Sequence, residues 1–484
     1  MAKKEKVKSE NQHPNKIGLK EALGYMLGEA GNMFSLTYVS SFLKIFYTDV
    51  LKIAPTRVAN LFLVSRLWDA VNDPMWGALV AKKRPTKDGK YRPYLKWVTI
   101  PLALTQLLCF VNFGDFTTNE TLVLALAYVT YIAFGMMYTG MNIPFGSLAS
   151  VITDDPDGRS LLSLFRAIGS GVGGAAPLLL APLIIYDRFP DGQGGTYDVA
   201  NSKKMLIFGI IMSVCAIVFY YACFFTTKER VPSEAEPKVD MKATYKGMFT
   251  SRPFVVLALT GILISGQLQF ASLNQYLYKN YFCNTDLSTI GTICTYLPMV
   301  ILMPFIPKLS KKFGKKEICG VGTALSAVAA VATYLIKPGR DQAWLYMVLL
   351  FIIGFGYSFV SATNWAVVAD VIDYQEFKTH IKSESAVYAV YTFCRKLGQT
   401  AADYGGLTLL AKVGYDVSAA TSGYVEGVSE GILTICTAIP AVTYTLIFLL
   451  YQFGYPLTKK RLEPVYEYIR LSHEEAAARA ENEG

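Results

Sequence analysis

The stretch LFLVSRLWDAVNDPMWGALVAKKRP, residues 61–85, decides the fold class of this chain. It begins as an apolar run of the kind that spans a bilayer, and it ends in a basic segment, as membrane helices do on their cytoplasmic side. Arg66, Asp69 and Asp73 interrupt the run at a spacing that places them on one helical face. A charge at the bilayer centre costs roughly 2.5–3.5 kcal/mol on insertion scales. These side chains therefore need a function or a partner.

The composition is that of a polytopic membrane protein. The 484 residues are 52% hydrophobic and 17% charged, and apolar stretches of about 20 residues, the length that crosses a bilayer as a helix, recur along the chain. We predict an all-α membrane protein with twelve transmembrane helices. The predicted spans are 20–47, 58–80, 94–113, 122–147, 160–186, 203–226, 254–278, 288–307, 316–336, 342–369, 384–411 and 428–454.

The distribution of basic residues predicts the topology. Lys and Arg number 31 in the N-terminal segment through Lys20 and the loops on its side of the membrane, against 9 in the loops on the other side. By the positive-inside rule both termini are cytoplasmic, in a cell membrane. The net charge of +9 is then a topology signal rather than a sign of nucleic-acid binding. We expect no cleaved signal peptide, no disulfide framework and no structural metal.

The two halves of the sequence resemble each other. KKRPTKDGKYRP (82–93) is similar to PKLSKKFGKK (307–316), and LFRAIGS (164–170) is similar to FCRKLGQ (393–399), at nearly the same offset. Two pseudo-symmetric six-helix bundles are the architecture of major facilitator transporters. We predict a cytoplasmic N-terminal tail, a first bundle, a cytoplasmic linker, a second bundle and a cytoplasmic C-terminal tail, over 1–19, 20–226, 227–252, 253–454 and 455–484.

The charged face of the second span predicts a cation site. Asp69 and Asp73 lie one helical turn apart and Asn72 lies beside them, so they can present several oxygens to a small hard cation. The cation could be Na+, and a proton could use the same carboxylates. An ion pair between Arg66 and Asp69 that only stabilises the fold is the alternative, and it leaves Asp73 unexplained.

Further polar residues inside predicted spans suit a polyhydroxyl ligand, because its many hydroxyl groups need donors, acceptors and an aromatic surface. Interhelical hydrogen bonding is the alternative for single polar residues. Arg166 and Lys396 each need an acidic partner, which we expect to be Asp69 or Asp73. The substrate-binding candidates are Glu29, Asn32, Tyr138, Asn142, Arg166, Asn364, Trp365, Lys396 and Asp403.

Asp370, Asp373 and Lys382 lie around a predicted cytoplasmic helix end. Salt bridges there could gate the transporter, and a solvated loop is the alternative.

Several stretches resemble the glycoside-pentoside-hexuronide:cation symporter family, and the resemblance runs from about residue 20 to 460. The resemblance implies a cation-coupled sugar transporter with the major facilitator fold, in which Arg166 belongs to the sugar site. It implies a cation site of Asp69, Asn72, Asp73, Thr139 and Lys396. The matching stretches are RLWDAVNDPMWG (66–77), KYRPYLKW (90–97), YTGMNIPFGSLASVITDDPDGRS (138–160), ADVIDYQEFKT (369–379) and RKLGQ (395–399).

The chain departs from the family where galactoside-transporting members bind their sugar. Two aspartates and a tryptophan of that site are replaced here by Met33, Asn142 and Gly146, which argues against an α-galactoside substrate. NIPFGSLA (142–149) and YPLTKKR (455–461) are more similar to the glucuronide and pentoside branches. The family's usual Gly-x-Arg after the tenth span reads His380-Ile381-Lys382.

We therefore expect a symporter that imports a pentoside or hexuronide with Na+ or H+ by alternating access. Its partners would be the sugar, the coupling cation and membrane lipid, with no other cofactor, and it would act as a monomer. A transporter of another cargo such as a lysolipid, and a non-transporting membrane sensor, are the alternatives. An enzyme is disfavoured because the three histidines, His13, His380 and His473, lie in tails or loops and no nucleotide-binding glycine pattern occurs.

Overall fold

The computed structural model describes residues 17–153, 155–190, 196–231, 250–379, 384–469 and 471. These residues are helical apart from loops and one short hairpin. The helices, numbered in chain order, are α1 Leu19–Ile45, α2 Pro55–Lys82, α3 Arg92–Trp97, α4 Thr99–Cys109, α5 Glu120–Ile152, α6 Pro156–Ile184, α7 Ser202–Thr226, α8 Arg252–Phe270, α9 Asn274–Asn280, α10 Asp286–Leu302, α11 Ile306–Phe313, α12 Lys315–Ile336, α13 Ala343–Thr379, α14 Glu384–Lys412, α15 Val417–Thr421 and α16 Val428–Leu449.

Seven helical segments among the described residues are long and apolar enough to cross a membrane, and the bent pair α10–α11 adds an eighth. The chain is therefore a helical multi-pass membrane protein, as expected. Three other long helices, α1, α2 and α14, are not among these segments. They carry most of the charged residues that the sequence singles out, since Glu29 lies on α1, Asp69 and Asp73 on α2, and Lys396 and Asp403 on α14.

Several predicted spans are broken rather than continuous. The span predicted at 288–307 forms α10 and α11, which meet at an angle of 63°. Pro304 lies in the break, where its ring and missing N–H interrupt the helical hydrogen bonds. The span predicted at 254–278 consists of α8, a 3-10 turn over Ala271–Leu273, and α9.

The hairpin is a departure from the purely helical prediction. Strands β1 Tyr186–Pro190 and β2 Thr196–Ala200 pair antiparallel in a region that the sequence indicates as a loop. Asp198 is only 1% exposed and accepts hydrogen bonds from the backbone N–H and the hydroxyl of Thr285, both at 2.8 Å. It also accepts from Arg188 Nε at 3.0 Å, and this bond raises the pKa of Arg188. Asp198 thus anchors β2.

The chain divides into two compact units. The first comprises Met1–Leu43, Leu67–Leu178 and Ser202–Glu236, in so far as they are described. The second comprises Lys44–Arg66, Leu179–Asn201 and Pro237–Gly484, with the same restriction. Two short segments from the first half of the sequence are therefore part of the second unit.

The second unit has a continuous apolar core. Phe254 and Leu257 of α8, Val360 and Val367 of α13 and Tyr391 of α14 are each almost fully buried in it. The predicted division of the sequence into two bundles, a linker and two tails remains a prediction, since much of both tails and most of the linker lie outside the described residues.

Candidate functional site

Four of the five predicted cation ligands lie on α2 and α5 within the first unit, namely Asp69, Asn72, Asp73 and Thr139. Thr139 donates a hydrogen bond from Oγ1 to Asp73 Oδ1 at 3.0 Å. A Cβ placed on Gly135 would lie 3.2 Å from Asp69 Oδ1. The two carboxylates are four residues apart on α2, and the two α5 residues that they face are also four residues apart. One turn of each helix therefore forms the site, with the missing side chain of Gly135 admitting Asp69.

Asn72 lies in the same turn of α2 and is only 1% exposed. Its Nδ2 has no hydrogen-bond partner among the described residues, and an unsatisfied buried amide costs about 1–3 kcal/mol. The residues present, two carboxylates, a hydroxyl and an amide, are oxygen ligands of the kind that Na+ accepts, and the carboxylates can also carry a proton.

Arg166 pairs with Glu29 in the first unit. Its Nε lies 3.1 Å from Glu29 Oε2, and the Glu29 side chain is 5% exposed. The sequence led us to expect Asp69 or Asp73 as an acidic partner of Arg166, and the structure shows that Glu29 is one. The two helices can approach because Gly169, one turn after Arg166, lies where a Cβ would be 2.3 Å from the Met26 carbonyl oxygen. A substrate candidate of α1 and one of α6 are therefore brought together.

Two of the remaining substrate candidates of the first unit, Asn32 and Asn142, form part of a polar network between helices. Asn32 donates from Nδ2 to Asn142 Oδ1 at 3.1 Å and accepts from the Tyr220 hydroxyl at 3.1 Å. Asn32 is fully buried, so its amide is already used in holding α1, α5 and α7 together. Tyr138 stacks on Phe134 of the same helix, with ring centroids 6.0 Å apart.

In the second unit the candidates Asn364 and Trp365 lie in an aromatic cluster. Asn364 Oδ1 accepts a hydrogen bond from the Tyr391 hydroxyl at 2.8 Å. Trp365 is 47% exposed, and its ring stacks on Tyr388 with centroids 5.6 Å apart. The guanidinium of Arg395 lies over the Trp365 ring, 5.3 Å from its centroid.

Arg395 is not among the site residues predicted from the sequence. The signal was present, since the repeat aligns Arg395 with the candidate Arg166. Lys396, the next residue, is partly exposed on α14, and its assignment to the cation and substrate sites stays a prediction.

Asp403 is buried among protein partners of its own unit. Its Oδ1 lies 2.5 Å from Lys44 Nζ, and both side chains are at most 2% exposed. Gln269 donates from Nε2 to the two carboxylate oxygens at 2.9 and 3.2 Å, and Arg66 lies 3.7 Å away. This arrangement resembles a structural ion-pair cluster more than an open sugar contact. Lys44, near the end of a predicted span, gave no sequence signal of its pairing.

The gating candidate Asp370 is buried rather than solvated. Its Oδ1 accepts hydrogen bonds from Lys315 Nζ at 2.6 Å and from the Tyr466 hydroxyl at 2.7 Å, both within the second unit. Asp373 lies one turn further along α13. Lys382 lies outside the described residues, so the predicted gate stays a prediction.

Comparison with known proteins identifies the family of this chain. The family model described as MFS/sugar transport protein matches residues 24–459. The chain belongs to this sugar-transport family. Among solved structures, a D-xylose–proton symporter superimposes with a TM-score of 0.61, covering 91% of this chain and 98% of that one at 13% identity, which supports the major facilitator fold.

The names of two relatives of this chain specify a sugar. The isoprimeverose transporter of Lactiplantibacillus pentosus is 30% identical over 393 residues, covering 80% of this chain and 78% of the relative. The glucuronide carrier protein homolog of Escherichia coli K12 is 27% identical over 446 residues, covering 92% and 93%. The resemblance to the glycoside-pentoside-hexuronide:cation symporters is thereby confirmed. The chain is a transporter of the major facilitator superfamily and not an enzyme.

Proposed function

We propose that this chain is a cation-coupled symporter, driven by Na+ or H+, that imports a glycoside of the pentoside or hexuronide type across the cell membrane. Twelve helices in two six-helix bundles would carry out alternating access, with both termini in the cytoplasm and the monomer as the working unit. The named sugars of the two curated relatives, isoprimeverose and a glucuronide, support this substrate range.

The observation that carries the coupling proposal is the pairing of α2 with α5 around Asp69 and Asp73. A membrane-embedded carboxylate pair is costly unless it is protonated or compensated by a cation. Thr139 already donates to Asp73 at 3.0 Å, and buried Asn72 supplies a further polar group beside it. Cation binding there would raise sugar affinity, and by linkage the sugar would raise cation affinity by the same factor.

The test is uptake by tight proteoliposomes under an inward Na+ or H+ gradient. The variant Asp73→Asn should lose uphill accumulation of the sugar. The neutral amide can neither take up a proton nor balance the charge of a bound Na+. Asp88→Asn is the control, since Asp88 is an exposed carboxylate in the loop after α2 and should accumulate sugar like the unmodified protein.

Accumulation under only one gradient would name the coupling ion. Gradient-driven accumulation by Asp73→Asn equal to that of the unmodified protein would refute the role of this pair. Accumulation of neither a xyloside nor a glucuronide under either gradient would refute the proposed substrate range.

Transport of a lysolipid is a second candidate, favoured by one observation. A groove in the second unit is lined by small and apolar residues of α8, α14 and α16, among them Gly266, Gly398, Ala402, Gly405 and Ile439. Such a wall suits an acyl chain, whereas the Trp365 cluster suits a sugar. Uptake of a labelled lysophospholipid, competed by no glycoside, would favour this candidate over the first.

A further inference from the structure

The two arginines that the repeat aligns occupy equivalent packing positions in their own units. A Cβ on Gly169 would lie 2.3 Å from the Met26 carbonyl oxygen, and a Cβ on Gly398 would lie 2.0 Å from the Ile262 carbonyl oxygen. Each glycine follows its arginine by three residues. The contact of α6 with α1 in the first unit is therefore repeated by the contact of α14 with α8 in the second.

This equivalence fixes which residue faces each arginine. Glu29 lies three residues after Met26, and it forms the ion pair with Arg166. Ser265 lies three residues after Ile262, and its hydroxyl accepts a hydrogen bond from Arg395 Nε at 3.0 Å. The position that holds a carboxylate in the first unit thus holds a neutral hydroxyl in the second.

The aromatic neighbour is also repeated. The Arg166 guanidinium lies 5.8 Å from the centroid of Phe145 on α5, and the Arg395 guanidinium lies 5.3 Å from the centroid of Trp365 on α13. The two sites therefore share an arginine, a close glycine contact and an aromatic ring. Among the residues that the structure describes, they differ in that the first site also has a counter-charge, Glu29.

Arg395 consequently carries a positive charge that the described part of the chain does not neutralise. No Asp or Glu oxygen of the described residues lies within 4.0 Å of it, and Ser265 is its one hydrogen-bond acceptor there. Arg395 lies near the middle of α14, where an unpaired charge is costly. Since Ser265 uses Nε, the two terminal nitrogens can bind an anion side by side, which guanidinium groups do well.

We propose that Arg395, held by Ser265 and Trp365, binds an anionic group on the sugar. The ligand chemistry is a carboxylate or a sulfonate attached to a pyranose ring. The charged group would contact the terminal nitrogens of Arg395, and the partly exposed rings of Trp365 and Tyr388 would offer an apolar surface to the sugar. This inference rests on the proposed sugar-transport function and narrows its substrate range to acidic glycosides.

The test measures the preference of the full-length purified protein among three nitrophenyl glycosides. One carries a hexuronate carboxylate, one carries a sulfonate at C6, and one is the neutral xyloside. Arg395→Gln should weaken binding of the preferred acidic glycoside relative to the neutral one by about 10- to 100-fold, the effect of losing a hydrogen-bonded charge. Arg395→Lys should recover part of the preference, because lysine retains the positive charge but lacks the two parallel N–H donors of the guanidinium group.

Ser265→Glu is a sharper variant, because it places in the second unit the carboxylate that the first unit has at Glu29. It should reduce the preference for acidic glycosides while keeping the arginine. Lys412→Gln is the matched control, since it removes an exposed positive charge from the end of the same helix. We expect the control to keep the unmodified preference.

The outcomes separate the two levels of the proposal. A carboxylate-only or sulfonate-only preference that Arg395→Gln removes would support the anion site and identify the group. Binding of the neutral xyloside alone, or an acidic preference that Arg395→Gln leaves intact, would overturn the anion site and leave sugar transport standing. Binding of none of the three glycosides by the unmodified protein would overturn the sugar-transport proposal itself.

Discussion

Replacing Lys44 by methionine should destabilise the second unit substantially. Lys44 and Asp403 approach to 2.5 Å with side chains 2% and 1% exposed, so the substitution leaves a buried carboxylate without its nearest counter-charge. Removing one partner of a buried pair typically costs 3–5 kcal/mol. Arg66 at 3.7 Å and the Gln269 amide retain part of the compensation, so we expect about 3 kcal/mol, the lower end of that range.

The assay is unfolding of the purified protein in mixed micelles, followed for a double-mutant cycle of Lys44→Met and Asp403→Asn. The double variant should lose less stability than the sum of the single variants, with a coupling of about 1–3 kcal/mol, because neither charge is then buried alone. Lys52→Met is the control, since Lys52 is an exposed lysine in the same segment. Additive effects of the two substitutions would refute the reasoning that the buried pair is coupled.

Two further substitutions test the close contacts described here. Gly398→Ala should lower the midpoint of thermal unfolding by an amount corresponding to about 1–3 kcal/mol of overpacking, because the added Cβ would lie 2.0 Å from the Ile262 carbonyl oxygen. Gly405→Ala is the control and should be neutral or stabilising, because nothing lies within 4 Å of its added Cβ. Equal effects of the two substitutions would contradict the packing argument. Glu229→Gln should increase amide hydrogen exchange at residues 90–92, because the Glu229 carboxylate accepts hydrogen bonds from three backbone N–H groups there, each at 2.7 Å. Glu463→Gln, which replaces an exposed carboxylate, is the control. Unchanged exchange at 90–92 would show that the carboxylate does not stabilise this loop.

Much of the fold could be predicted from the sequence, for physical reasons. The bilayer requires apolar segments of a fixed length, so the long apolar helices such as α5, α7 and α13 are visible in composition alone. The breaks were harder to predict. A proline such as Pro304 permits a bend, but packing against other helices decides whether the span continues through it. The position of β2 depends on Asp198, whose partner Thr285 is distant in sequence and could not be inferred from the local pattern.

The candidate site was predicted unevenly for the same reason. Asp69 and Asp73 are one turn apart on one helix, so helical periodicity alone places them together. The pairing of Arg166 with Glu29 joins helices far apart in sequence, and the number of acidic candidates left it open. Asp403 is the clearest example. The sequence pattern of a polar residue within a span is the same whether its side chain faces a ligand or a buried lysine such as Lys44.

The membership of residues 44–66 in the second unit has a consequence for biosynthesis. Lys44 and Asp49 are made long before Asp403 and Lys279, the residues that they pair with in the folded chain. The first half therefore emerges from the ribosome before the buried partners of Lys44 and Asp49 have been synthesised. The segment that joins α1 to α2 can therefore form its native ion pairs only after the second half of the chain has been synthesised and inserted.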